Sequence, residues 1–324
     1  MHRVNHPHLS DAGLFTKNNG CAVALVNKMC ARALAASQDK TDENPAAQFI
    51  LAELDIISFK SDLVTLEVPI FCLTTQAEKG LWKWQSADGK KIVEVAPGFY
   101  GRATQRDKDV LIYCVSHLIQ RKNAGLSINK TVRFTANNFL RSMRRGTRGE
   151  NFEHLKEALD RLKGTQIKTS ELLNDKWKLS KGFGLIEEWQ ILEKSVMDLR
   201  VQPITVTLSD WIFNQVLDNK VLTIHPGYFL LRKPLERRLY EIARKHVGRQ
   251  GTWKIRIDGL KEKCGSSQSR LNEFISGLKK ISDDDKIPDY RFLIKDGHVH
   301  FYSKDSSRVV KSLVKKKDVD NLGK

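Results

Sequence analysis

Between residues 228 and 302 the sequence spells a fixed order of elements: helix, strand, short helix, capped third helix, hairpin. The first helix starts after Pro234, a residue suited to a first turn, and stops at Gly248. Leu235, Leu239, Ile242, Ala243 and Val247 repeat at helical spacing and predict its buried stripe. Arg237, Arg238, Glu241, Arg244 and Lys245 are left for the remaining circumference. Trp253 to Ile257 alternates as a strand, and Asp258 is placed to cap a short helix around Leu260. A Cys264-Gly265 turn follows. Ser266 or Ser267 then suits the N-cap of a third helix whose Leu271, Phe274, Ile275 and Leu278 face inward. Tyr290, Phe292 and Ile294 alternate toward Asp296-Gly297, a two-residue turn signal, and His298 to Tyr302 returns. That order predicts a winged helix, a helix-turn-helix carrying a β-hairpin wing.

The same order recurs from about 107 to 193. Val110, Leu111, Cys114, Val115, Leu118 and Ile119 form a helical stripe, with Asp107 and Asp109 at its positive N-terminal end. Val132 to Phe134 reads as a strand, and Thr135 caps a helix carrying Phe139, Leu140 and Met143. A third helix carries Phe152, Leu155, Leu159 and Leu162, with Gly164 as its stop. Strands are expected at 166–169, 176–179, 184–192 and 204–208, then a helix from Asp210 to Leu217. In the less periodic stretch before 107, Ile70-Phe71, Leu81 to Trp84 and Ile92 to Val95 are strand candidates, and Pro97-Gly98 is a turn signal. The expected fold class is α+β: two tandem winged-helix domains, 49–220 and 221–324, after an N-terminal extension at 1–48. The tail from Ser306, with Lys315 to Lys317, is expected to fray.

The charge is lopsided. The formal net charge is +17, and residues 225–324 hold 24 lysines and arginines against 13 acidic residues, an excess of 11. Such a field attracts polyanions. No run approaches the length of a transmembrane helix, and the N-terminus lacks the pattern of a signal peptide. Cys21, Cys30, Cys72, Cys114 and Cys264 show neither CxxC nor CxxH spacing, so neither a metal site nor a disulfide framework is expected. A cytoplasmic setting and no cofactor are the matching expectations.

A helix-turn-helix puts its third helix in the major groove, where residues opposite the core stripe reach base edges. Here those are Gln268, Ser269, Arg270, Asn272, Glu273 and Ser276, with Lys279 and Lys280 at the end. Arg270 can fork onto guanine, and Gln268 or Asn272 onto adenine. Ser266, Ser267 and neighbouring backbone N–H groups are placed to hold a phosphate. Arg291, Lys295 and Lys304 offer the wing to the backbone. In the first module, Arg141, Arg144, Arg145 and Arg148 can clasp a backbone, while Glu150, Glu153, Glu157 and Asp160 partly repel one.

Catalytic alternatives are thin. No GxxxxGK(S/T) phosphate loop is present. His298-Val299-His300 matches the histidine–apolar–histidine element of metal-dependent DNA-nicking enzymes, yet alternation puts any such pair on one face of a returning strand. Tyr302 shares that strand, and Tyr240 lies far upstream. Glu187 and Glu188, adjacent on a strand, point to opposite faces.

Longer runs carry a resemblance. Gly184-Leu185-Ile186, Val206 to Trp211 (VTLSDW), Val221-Leu222-Thr223, Tyr228-Phe229 and above all Lys233 to His246 (KPLERRLYEIARKH) resemble the plasmid replication initiator protein A family. Asp107 to Cys114 (DKDVLIYC) and Ile287 to Arg291 (IPDYR) fit the same pattern, so the likeness runs from about 49 to 302, and residues 1–48 depart from it. The resemblance implies a tandem winged-helix initiator that binds direct repeats of duplex origin DNA, opens an adjacent A·T-rich segment and brings in host initiator and helicase proteins. It also implies a monomer–homodimer equilibrium with autorepression by dimers. A nicking rolling-circle initiator built on His298 and His300, and a plain repressor, remain the alternatives.

Overall fold

A short strand, β1 (Lys60–Asp62), and a one-turn helix, α1 (Leu63–Glu67), open the described part of the chain. The computed structural model describes residues 56, 58–74, 78–86, 88–174, 176–192, 203–248, 250–266 and 270–310. All belong to one compact unit beginning at Leu54; the expected extension at 1–48 and the Lys315–Lys317 tail lie outside them. Next come β2 (Trp82–Gln85), β3 (Lys91–Ala96), α2 (Lys108–Asn123), β4 (Thr131–Thr135), α3 (Ala136–Ser142) and α4 (Gly149–Gly164). They are followed by β5 (Gln166–Leu172), β6 (Lys178–Gly184), β7 (Ile186–Ile191), β8 (Pro203–Leu208) and α5 (Asp210–Leu217). The remainder is β9 (Val221–Thr223), a 3₁₀ turn (Pro226–Leu230), α6 (Pro234–His246), β10 (Thr252–Arg256), α7 (Ile257–Cys264), α8 (Leu271–Asp284), β11 (Tyr290–Lys295) and β12 (His298–Ser303). The architecture is mixed α+β. Its antiparallel sheets run β2-β3-β5-β6, β4-β8-β7, β10-β12-β11 and β1-β9.

Local chemistry sets most boundaries. Thr135 accepts a hydrogen bond from the Asn138 N–H at 3.3 Å and starts α3, and Ser209 caps α5 in the same way. The β11–β12 turn places Asp296 and Gly297 at φ 49° and 69°, the paired positive values of a type I′ hairpin. At the end of α7, Gly265 takes φ 69° while its own N–H and that of Ser266 cap the last carbonyls. A Cβ there would also lie 2.6 Å from the Pro69 side chain, so two constraints demand glycine.

Several expectations need correction. Ile70 and Phe71 are core residues but not a strand; pairing there is one isolated bridge, Cys72 with Thr104. Gly164 does end α4, but as its last helical residue rather than in a left-handed turn; a Cβ on the facing Gly98 would fall 2.6 Å from its Cα, so the two backbones pack directly. Asp258 sits in the first turn of α7 rather than capping it. The Ile257 N–H donates instead to the Gly297 carbonyl at 3.2 Å, and Asp258 pairs with Arg256. Leu271, at the first position of α8, is 41% exposed, because the inward stripe is Phe274, Leu278 and Ile281.

The largest departure concerns α2 and α6. Every residue of α2 from Lys108 to Ile119 is buried, charged ones included. On α6, Glu236, Arg237, Arg238 and Glu241 are buried with the apolar stripe instead of facing water. Both helices can be buried all round because their charges find partners on each other. Lys108 Nζ lies 2.8 Å from Glu241 Oε1, and Arg237 Nη1 lies 2.7 Å from Asp109 Oδ1. Arg238 donates to Leu66 O (2.9 Å), Glu67 O (2.8 Å) and Lys263 O (2.7 Å), closing the carbonyl ends of α1 and α7. Tyr228 completes the Glu241 shell with an O–H bond of 2.9 Å. Burial raises the Glu67 carboxyl, but hydrogen bonds from His246, Lys245 and Lys263 overcome it and hold the group well below the usual carboxylate range. This seam, with β1 paired to β9, crosses the position expected for a domain boundary at 220.

Candidate nucleic-acid interface

α8 follows α7 and packs its stripe inward, and Ser282 Oγ donates to the Phe292 carbonyl at 2.8 Å, tying the helix to β11. Its other side is open. Arg270, Asn272, Glu273, Ser276, Lys279 and Lys280 are all exposed, as the spacing predicts. Among the described residues, no ion pair or hydrogen bond engages the side chains of Arg270, Asn272, Lys279 or Lys280. Ser267, Gln268 and Ser269 lie outside the described residues. Arg270 itself takes the N-cap position in an extended conformation, so no serine among the described residues starts this helix. The Ser266 backbone N–H is also committed. It donates to the Lys261 carbonyl at 3.2 Å and finishes α7, which removes it as the expected phosphate donor.

The adjacent hairpin carries further positive charge. Lys295 is exposed, whereas Arg291 is held by Asp285 at 2.7 Å, a carboxylate that also meets Lys304 at 3.1 Å. The wing's expected cations are therefore unequal, and Lys295 is the freer one. Cross-strand register adds two residues that the sequence reading missed. Lys254 stands opposite His300, and Arg256 opposite His298, which in turn stands opposite Lys295. Alternation of cations in Thr252–Arg256 was the available signal. Slight burial, then Lys254 and His298, lower the pKa of His300.

In the first half, Arg141, Arg144 and Arg148 are exposed. Arg145 is not available as expected. Its Nη2 lies 2.5 Å from Asp109 and donates to the Arg106 carbonyl at 3.0 Å, because Asp109 is wholly buried and needs cations on both sides. On the exposed side of α4, Glu153 meets Lys156 at 3.5 Å and Glu157 meets Arg161 at 3.4 Å, while Arg161 also grips Asp107. That side answers its own charges.

Among the described residues, no group of three or more His, Cys, Asp or Glu could hold a metal ion, and no helix is long and apolar enough to cross a membrane. Burial pushes the Cys114 and Cys264 thiols up, leaving little thiolate for chemistry.

Two helix-and-hairpin halves and one open cationic helix define an α+β protein that presents charge on rigid elements. In sequence, the model of the replication initiator protein A family matches residues 60–292. The chain belongs to that family of replication initiators. A protein of Wigglesworthia glossinidia brevipalpis named "Putative replication protein" is 36% identical over 244 residues, covering 75% of this chain and 87% of that one. In structure, the chain is similar to domains 2 and 3 of RctB, at TM-score 0.53 and 13% identity, over 74% of this chain and 97% of that one. At that identity the likeness concerns the fold. A second RctB structure of the same domains gives TM-score 0.47 at 13% identity, over 77% and 99% of the two chains.

Proposed function

We propose that this chain is a plasmid replication initiator that reads duplex origin DNA with two winged-helix modules. One observation carries the reading: α8 holds Arg270, Asn272, Lys279 and Lys280 exposed and unengaged among the described residues, on a helix locked to its hairpin. Fork-shaped and amide side chains discriminate base edges in the major groove, and lysines add phosphate contacts. Lys254 and Lys295 place cations on the outer face of the β10-β12-β11 sheet, where a wing meets the neighbouring backbone, while Arg256 on the same face is held by Asp258 at 3.1 Å. Arg141, Arg144 and Arg148 offer the first module's backbone contacts. Bound side by side on direct repeats, protomers bend the site. Smooth bending of a short duplex costs on the order of 1–6 kcal/mol, within reach of binding energy, and the strained A·T-rich neighbour opens for host initiator and helicase proteins. A dimer of the same chain represses its own promoter, and the setting is the cytoplasm.

The protein acts without catalysis. The His298 and His300 rings lie 6.3 Å apart beside Lys254 and Lys295, an environment that repels a divalent cation and suits a phosphate. Footprinting on the replicon's own origin tests the reading. Protection of regularly spaced repeats supports it, and featureless binding sinks it. A supercoiled origin plasmid incubated with Mg²⁺ or Mn²⁺ should stay uncut. Nicks that disappear in His298→Ala would restore the enzyme alternative.

A further inference from the structure

We infer that the tip of the β5–β6 hairpin is a second, sequence-tolerant contact for unpaired DNA, with Trp177 as its stacking platform. It rests on the origin-binding reading above and adds a site to it. The hairpin is an edge of its sheet, since among the described residues β6 pairs only with β5. Trp177 is 69% exposed at its tip, and Leu173 beside it is 62% exposed. An indole so placed loses burial energy in water unless something covers it. Its presentation is built. Asn174 Oδ1 accepts from the backbone N–H groups of Lys176 (3.0 Å) and Trp177 (2.9 Å), while the Leu173 N–H donates to the Trp177 carbonyl at 2.9 Å.

Charge selects the occupant. Residues 172–184 contain Lys176, Lys178 and Lys181 against one acid, Asp175. Among the described residues none of the three lysines makes an ion pair. Farther along β6 lies an open cavity of about 330 Å³ lined in part by Lys168, Lys181 and Glu94. There Glu94 is shared between Lys83 (3.8 Å) and Lys168 (3.5 Å), so it does not reverse the sign. Trp177, Lys181 and Phe183 alternate onto one face of the strand over roughly 20 Å, with Lys178 and Lys168 on the other face at its edge. A flat aromatic with flanking lysines along such a track is the chemistry that holds a single strand: bases stack, phosphates meet ammonium groups. The tip has no arginine fork, so it cannot read base edges bidentately. Bases inside a duplex are already stacked on each other, which leaves an indole face nothing to cover it. A freshly opened strand supplies that partner.

The test uses the full chain, a labelled short oligo(dT) and a duplex carrying the site recovered by footprinting. Trp177→Ala should weaken oligo(dT) binding roughly tenfold, Trp177→Phe should keep most of it, and both should leave duplex affinity and thermal unfolding unchanged. Quenching of indole fluorescence by oligo(dT) should shrink in Trp177→Ala. Unchanged oligo(dT) affinity in Trp177→Ala overturns the inference. So does an equal loss on duplex, or a shift in sedimentation that makes the tip a contact between protein copies. If the wild-type chain fails to select a duplex site, the reading above falls, and the oligo(dT) arm still decides the hairpin.

Discussion

In the seam between α2 and α6, Lys108, Arg237 and Arg238 each reach a carboxylate within 3.2 Å, and all of them are buried. Along α8, Arg270, Lys279 and Lys280 reach no carboxylate among the described residues, and all three are exposed. The residue types are the same and the consequences are opposite. A buried cation must be answered inside the protein, so the seam fixes where helices sit. An exposed cation on a fixed helix keeps its capacity for a ligand. α4 lies between these cases: its exposed side is charged, yet much of that charge is answered within the first half.

The contrast can be broken most forcefully at Glu241. Glu241→Ala leaves Lys108 and Arg238 facing each other unpaired in the interior and should cost about 3–5 kcal/mol, read from the denaturant midpoint. An unchanged midpoint would mean that the seam does not hold the fold. Acid offers a gentler version. Burial, with Arg121 nearby, lowers His117 on α2 to a pKa of about 4, so the folded state keeps it neutral while an unfolded chain protonates it near 6.5. Its stabilising share is complete above about pH 6.5 and falls away as the pH drops toward 4. His117→Asn should flatten that part of a stability–pH profile. Glu67, held low, extends the loss below its ordinary carboxylate range as it protonates.

On the exposed side the effects move from stability to binding. Lys279→Ala should leave unfolding within about 0.5 kcal/mol, weaken all duplex sequences alike, and reduce the salt slope of binding by about 1. A change in base preference would make Lys279 a reader rather than a phosphate contact. Smallest of all is Glu153→Gln on α4, where stability and site preference should both stay within about 0.5 kcal/mol. A gain of preference there would show that α4 enters a groove.

How much of this was legible depended on where each residue's partner lies. Thr135, Pro234 and Asp296-Gly297 act on neighbours a few positions away, so α3, α6 and the second hairpin could be read from the chain. The exposed side of α8 was legible for the same reason, as the complement of a periodic stripe. Burial of Arg237 and Glu241 was not, because Asp109 and Lys108 stand 128 and 133 positions away. Arg145 misled similarly: its partner Asp109 lies 36 positions upstream, on another helix. α1 is a single turn, too short for any period to show. Lys254 and Arg256 needed strand register before they could join His298 and His300 on one face.

Base preference of Arg270→Ala, profiled by selection from random duplexes, bears most directly on the claim that α8 reads DNA. The arginine's loss should cost about 1–3 kcal/mol on the selected site and relax preference at one base pair, leaving the others intact. A loss spread evenly over all sequences, or none at all, would contradict it.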